Sequence, residues 1–119
     1  MSDTLYTRLG EHAGIEKIVN DMVDIHLANP TIAARFAASD VAELKRKATD
    51  FVVTGTGGPQ IYQGKDMRAA HANMNISDAE FMAVADDAMN ALDKNGVGQR
   101  EKEEVLFILY SLRPDVVHI

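Results

Sequence analysis

The chain has 119 residues, 46% of them hydrophobic and 25% charged, proportions that suit one folded domain and exclude both a disordered chain and two independent domains. With 12 Lys+Arg against 18 Asp+Glu the net charge is -6, which repels a phosphate backbone and argues against nucleic acid as a partner. There is no cysteine, so disulfides, thiolate metal sites, iron–sulfur clusters and a cysteine nucleophile are excluded together.

The N-terminal Met1-Ser2-Asp3-Thr4-Leu5-Tyr6 has neither a basic region nor an apolar one, so a secretory signal is not expected and the cytoplasm is the predicted location. Helical periodicity begins soon after. Ile15, Ile18, Val19, Met22 and Ile25 or His26 recur at steps of three and four, predicting a first long helix that stops at Asn29-Pro30. Asn29 as cap and Pro30 at a first position predict a short helix or 3₁₀ segment to Phe36. Asp40 with Glu43 three residues on is a capping-box-like start, and Val41, Leu44, Ala48, Phe51, Val52 and Gly55 share one face of a second long helix, ended by Gly57-Gly58-Pro59.

From Gly57 to about Asp66 no period is sustained, which predicts a loop; Met67 to Ala72 fits one or two helical turns. Ser77 and Glu80 form a capping box ahead of the stripe Phe81, Val84, Ala85, Ala88 and Leu92, a third long helix that ends near Asn95-Gly96. A fourth runs from about Gly98 to Arg113, with Val105, Ile108, Leu109 and Leu112 facing inward and Pro114 stopping it. The longest apolar run, Val105 to Tyr110, is far short of the roughly 20 residues a spanning helix needs, so no membrane partner is expected. The chain is predicted to be all-α with four main helices.

Motifs that carry chemistry are few. Asp86-Asp87 and Glu103-Glu104 are adjacent pairs, which a helix points about 100° apart, and they read as a solvated face. Gly55-Thr56-Gly57-Gly58 lacks the lysine of a phosphate loop and follows a helix, so it reads as a terminator. His12, His26, His71 and His118 show no three- or four-residue spacing, which excludes a two-histidine zinc helix. A single histidine suffices only where the metal brings its other ligands, as in haem. His71 is the candidate: it closes Met67-Arg68-Ala69-Ala70-His71, in which small alanines admit a flat macrocycle, Arg68 lies one turn back to meet a propionate and Met67 offers a soft contact. On spacing alone a surface or core histidine remains the competing reading.

Thr4-Leu5-Tyr6-Thr7-Arg8-Leu9-Gly10, Leu27-Ala28-Asn29-Pro30, Arg35-Phe36, Gly57-Gly58-Pro59, Tyr62-Gln63-Gly64, Met67-Arg68-Ala69-Ala70-His71 and Leu92-Asp93-Lys94-Asn95-Gly96-Val97 occur in an order and at a spacing that resemble the truncated haemoglobins, group I in particular, over about residues 4 to 113. The resemblance implies one globin-like two-over-two helical sandwich over residues 1–119, holding haem b, with a shortened F-helix region where the long loop falls. It implies His71 as the proximal iron ligand, Phe36 stacked on the haem, Phe51, Met67, Phe81 and Val84 in the pocket wall, and Tyr62 and Arg68 at the propionate edge. Dioxygen, carbon monoxide and nitric oxide are the implied ligands. Oxygen transport or gas detoxification is the implied role, and nitric oxide dioxygenation with a separate reductase its enzymatic version. A monomer or weak dimer is expected.

Departures from the family pattern bear on the distal pocket. The family's distal tyrosine falls at Val23 and the phenylalanine before it at Met22; a position that often carries glutamine falls at Ala48 and another distal position, polar or apolar, at Leu44; the second glycine of the N-terminal pair is Glu11. Hydrogen-bond donors over the ligand are therefore missing, which predicts weakened dioxygen retention and a smaller effect on carbon monoxide. No distal histidine is available for peroxidase chemistry. Lys47, one turn after Leu44, falls where some group I members place a distal iron ligand, with a propionate salt bridge or plain exposure as the alternatives. His118 falls near where some relatives attach a histidine to the haem, but reads as a frayed tail. A cofactor-free acidic helical interaction module is the competing function; it predicts no void beside Phe36, Phe51 and Val84, whereas haem needs a flat apolar slot opposite His71.

Overall fold

The computed structural model describes residues 3–119, and among these it contains six helices and two 3₁₀ turns. Helix α1 (Leu5–Arg8) is a single turn capped by Thr4, whose hydroxyl accepts from the Thr7 backbone N–H. Its four residues are too few to display a period, which is why the sequence pattern does not announce it. Helix α2 (Glu11–Ala28) follows Gly10, which takes the left-handed conformation at φ 95°. Gly14 lies so close to the Leu9 carbonyl that a Cβ there would meet it at 2.2 Å, so α1 and α2 pack with no room for a side chain between them.

The predicted segment after Pro30 is a 3₁₀ turn at Ala33–Phe36. Helix α3 (Val41–Gly55) is capped by Asp40, which accepts from the Glu43 N–H; the Glu43 side chain does not close the box but bonds Arg46 instead. Helix α4 (Met67–His71) follows the loop, and α5 (Asp78–Lys94) opens with the full Ser77–Glu80 capping box. Helix α6 (Gln99–Ser111) passes into a 3₁₀ turn at Arg113–Asp115 that contains Pro114.

Helix α2 packs most extensively on α3 and on α5, and α5 on α6, so two helical pairs lie one over the other. The larger core gathers Ile15, Ile18, Val19 and Val23 of α2 with Val53 of α3 and Ala91 and Leu92 of α5. A smaller one joins Ile76 and Phe81 to Val116 and Val117. Among the described residues there is no strand; an isolated parallel bridge links Ile76 to Val117, and the His118 N–H donates to the Ile76 carbonyl at 2.9 Å. The tail is thus pinned rather than frayed, because Val116 and Val117 have an apolar cluster to join. No helix among the described residues is long and apolar enough to cross a membrane. The accessible surface of 6,925 Å² exceeds the roughly 6,300 Å² expected for this mass.

Candidate functional site

The site begins with α4. Asp66 caps it by accepting from the Ala69 N–H at 2.7 Å, which fixes the start of a five-residue helix that has no buried residue of its own. The loop before it is tied back onto the end of α3: the Thr54 hydroxyl accepts from the N–H groups of Ile61 and Tyr62, and the Tyr62 hydroxyl donates to the Lys65 carbonyl at 2.6 Å. At the end of α4, half-buried His71 has Nδ1 2.8 Å from the Met67 carbonyl oxygen. A carbonyl only accepts, so Nδ1 carries a proton, and in the neutral ring this leaves Nε2 with its lone pair.

His71 borders a cavity of about 210 Å³. Its walls are apolar: Ile32 and Phe36 at the two ends of the first 3₁₀ turn, Phe51 of α3, Met67 of α4, Met74 and Ile76 of the next segment, Phe81 and Val84 of α5, Leu109 of α6 with Leu112 at its C-cap, and Val116. Two polar residues, Arg35 and Glu80, complete the lining. They pair with each other, Arg35 Nε donating to Glu80 Oε2 at 2.5 Å, while Arg35 Nη1 donates to the Met74 carbonyl. The guanidinium, helped by the Ser77 N–H, holds the Glu80 carboxyl down to about 2, well below its usual 4.5. A second, open cleft of about 470 Å³ between α2 and α3 is lined mainly by charged and polar side chains, among them Lys17, Arg46 and Asp50, and has no comparable apolar wall.

Of the residues that the sequence nominates, the structure brings Phe36, Phe51, Met67, His71, Phe81 and Val84 together around the cavity. Tyr62 stands one layer out, edge-on to Phe51 with ring centroids 5.1 Å apart. Arg68 is exposed and pairs with Asp115 of the C-terminal turn at 3.4 Å. Met22, Val23, Leu44 and Ala48 sit in or against the larger core rather than along the cavity. Lys47 is exposed on α3 and is not part of the lining.

Other parts of the site are not named by the sequence reading. Leu109 and Leu112 were legible as the inward stripe of α6, and their destination is this cavity. Asp87 corrects the expectation of a solvated face. It is 4% exposed, and its Oδ2 lies 2.7 Å from Nδ1 of buried His26, with the Asn29 amide 3.2 Å from both carboxylate oxygens. Asp86 does face solvent. Helical spacing puts Asp87 on the side of α5 that carries Val84, but the partner that takes it out of water, His26, is 61 residues away in sequence.

A slot bounded by Phe36, Phe51 and Val84 beside His71 is what a macrocycle needs and what a cofactor-free bundle lacks. Comparison with known proteins agrees. The bacterial-like globin family model matches residues 4–118. A group 1 truncated haemoglobin of Mycolicibacterium paratuberculosis is 28% identical over 95% of this chain and 83% of its own length. The solved truncated haemoglobin of Tetrahymena pyriformis, in its Fe(III) form, superposes with a TM-score of 0.95 at 26% identity, covering 98% of this chain and 100% of that one. A 2/2 haemoglobin from a Synechococcus species, solved in the cyanomet state with covalently attached haem, gives 0.90 at 30% identity, covering 97% and 98%.

Proposed function

Since the chain belongs to the bacterial-like globin family and is a truncated haemoglobin of the group I type, we propose that it binds dioxygen, carbon monoxide and nitric oxide reversibly at a haem whose proximal ligand is His71. The observation that carries this reading is the half-buried imidazole, its Nδ1–H held by the Met67 carbonyl, at the wall of an apolar cavity. The residues present fit the cofactor. When bound, an iron porphyrin would supply four nitrogen ligands and an iron able to take a gas, with His71 as the protein residue that would hold it.

The rest is done by the chain. The Met67 carbonyl sets the tautomer and orients the ring of His71, the outer-shell role that raises ligand basicity. Phe36, Phe51, Phe81, Leu109 and Leu112 exclude water from the slot. The cavity, about 210 Å³, is smaller than the roughly 300–1,000 Å³ of typical ligand sites, so these walls would hold part of the macrocycle. Arg35 is the cation that lines this cavity, and Arg68 lies outside it.

Met22, Val23, Leu44 and Ala48, the distal positions that the family pattern implies, carry no side-chain N–H or O–H, and neither do the apolar residues that line the cavity, so none of them can donate to dioxygen held there. A hydrogen bond to a charge-bearing acceptor is worth roughly 1.5–3 kcal/mol, so dioxygen should leave about tenfold to a hundredfold sooner than from a relative with a distal tyrosine. Stopped-flow displacement of dioxygen by carbon monoxide measures this directly, and an off-rate as slow as the tyrosine-bearing relative's contradicts it. Oxygen binding and gas detoxification both suit such a pocket; nitric oxide dioxygenation, with a reductase as partner, is the enzymatic form of the proposal, and early dioxygen loss works against it.

The test is the visible spectrum of haem-loaded protein, ferric across pH and ferrous with and without carbon monoxide, beside His71→Ala and Lys47→Ala. A Soret band that His71→Ala loses or shifts supports the reading. An exposed Lys47 implies that its removal leaves the ferric spectrum unchanged; a change from six-coordinate low spin would restore it as a distal ligand. Colourless wild-type protein from haem-replete cells would favour the interaction module.

A further inference from the structure

His26, Asp87 and Asn29 form a buried polar cluster that plays no part in the function proposed above. His26 is 5% exposed, Asp87 is 4% exposed, and Nδ1 of the imidazole lies 2.7 Å from Asp87 Oδ2. The carboxylate only accepts, so the imidazole N–H and the Asn29 amide converge on it as donors. On its flat side the imidazole stacks on Phe36, with centroids 5.7 Å apart and planes within 3°. Phe36 in turn lines the cavity, which His26 does not touch.

We propose that His26 is a positioning residue: Asp87 fixes the plane of the imidazole, the imidazole fixes the plane of Phe36, and Phe36 thereby holds the cavity wall flat against the cofactor. The inference rests on the haem reading. Its physical basis is that the χ2 torsion of a phenylalanine is broad, so its ring plane must be set by neighbours. Phe36 ends a 3₁₀ turn, and Ala34, Ala37 and Ala38 beside it are exposed and supply no wall. An aliphatic side chain at position 26 would fill the volume but would not dictate a ring plane. A hydrogen-bonded imidazole does, because the charge-assisted bond is directional.

Burying the pair is not explained by stability, since replacing such a pair with apolar residues is often neutral or favourable. Helix α5 organises the arrangement. Glu80, Val84 and Asp87, at steps of four and three, share one side of it: Glu80 holds Arg35, Asp87 holds His26, and Val84 between them lines the cavity. The 3₁₀ turn is thus gripped at consecutive residues, Arg35 directly and Phe36 through the imidazole.

The experiment compares wild type, His26→Leu/Asp87→Leu and Asp87→Asn as haem-loaded proteins. The double variant leaves no orphaned buried charge, and Asp87→Asn keeps an acceptor for the imidazole N–H. Three quantities are read: the rate of haem transfer to apomyoglobin, the haem-methyl pattern in proton NMR of the cyanide complex, and the flip rate of the labelled Phe36 ring. A variant in the larger core matched in thermal midpoint controls for stability. The double variant is expected to lose haem about tenfold faster than that control, to show two haem-methyl sets and to flip Phe36 faster, while Asp87→Asn stays close to wild type. Wild-type values in the double variant, or equal loss in the double variant and the control, overturn the proposal. If the double variant does not fold, His26→Gln, which keeps a donor for Asp87 but has no ring, is judged by the same outcomes. Should wild type take up no haem, the haem reading fails; the Phe36 flip rate, read without cofactor, still decides whether the clamp exists.

Discussion

The two ends of the molecule are built differently. Where α2, α3 and α5 meet, Ile15, Val53 and Ala91 are completely buried, and long helices offer matching apolar stripes along many turns. At the other end the walls come from α4, α6, the segments beside the two 3₁₀ turns, and Phe51 of α3 with Phe81 and Val84 of α5; α4, α6 and the 3₁₀ turns have no buried residue of their own, and the apolar side chains surround a cavity. The same kinds of residue therefore serve two purposes. In the first region Leu, Ile and Val fill space; in the second they line it. Stability is concentrated in one region and the candidate chemistry in the other, a division that lets a pocket exist without loss of the fold.

The largest effect expected is at the cavity end. His71→Ala should lower haem affinity by more than the roughly 10- to 100-fold that follows loss of an outer-shell partner, as titrated by Soret absorbance, with an unchanged far-ultraviolet circular dichroism spectrum. In the packed region the signs reverse. Leu92→Ala, at 2% exposure, should cost about 2–5 kcal/mol in denaturant unfolding while leaving the haem spectrum alone. Leu109→Ala, half-buried on the cavity wall, should cost less than half as much and broaden the Soret band. Equal stability losses at Leu92 and Leu109 would abolish the distinction between the ends.

A smaller effect concerns the junction of α1 and α2. Glu11 holds φ 62°, in the left-handed region, where the family pattern has glycine. The left-handed backbone costs a residue with a Cβ about 1–2 kcal/mol, so Glu11→Gly should stabilise the packed end by about 1 kcal/mol, measured by the shift in thermal midpoint. Acid should also weaken the cavity rim. The Glu80 carboxyl is held down to about 2 from 4.5, so its pairing with Arg35 stabilises the folded state fully above pH 4.5 and is lost as pH falls from there toward 2. Glu80→Gln should flatten the decline in stability in that window, as read by denaturant unfolding across pH.

Much of this arrangement can be read from the chain. Caps and stripes placed α3, α5 and the end of α2 to within a residue or two, because Ser77 with Glu80, Asp40 and the Asn29-Pro30 stop are local devices that act through the nearest backbone. The cavity residues Phe36, Phe51, Met67, His71 and Val84 were legible through motif order and helical spacing. Helix α1 was not, being shorter than any period. The pinned tail was not, because Val116 and Val117 find their partner in Ile76, forty residues away in sequence.

By itself, then, the amino-acid order determined the four main helices and the histidine at the close of α4, since periodicity, capping and turn chemistry are settled among residues within a few positions of one another. Only the tertiary structure decided which of two adjacent aspartates would be buried, that His26 would lie against Phe36, and that Lys47 would face away from the cavity. Those outcomes depend on which surfaces meet when α2, α3 and α5 pack, a matter of long-range contact that no local pattern contains.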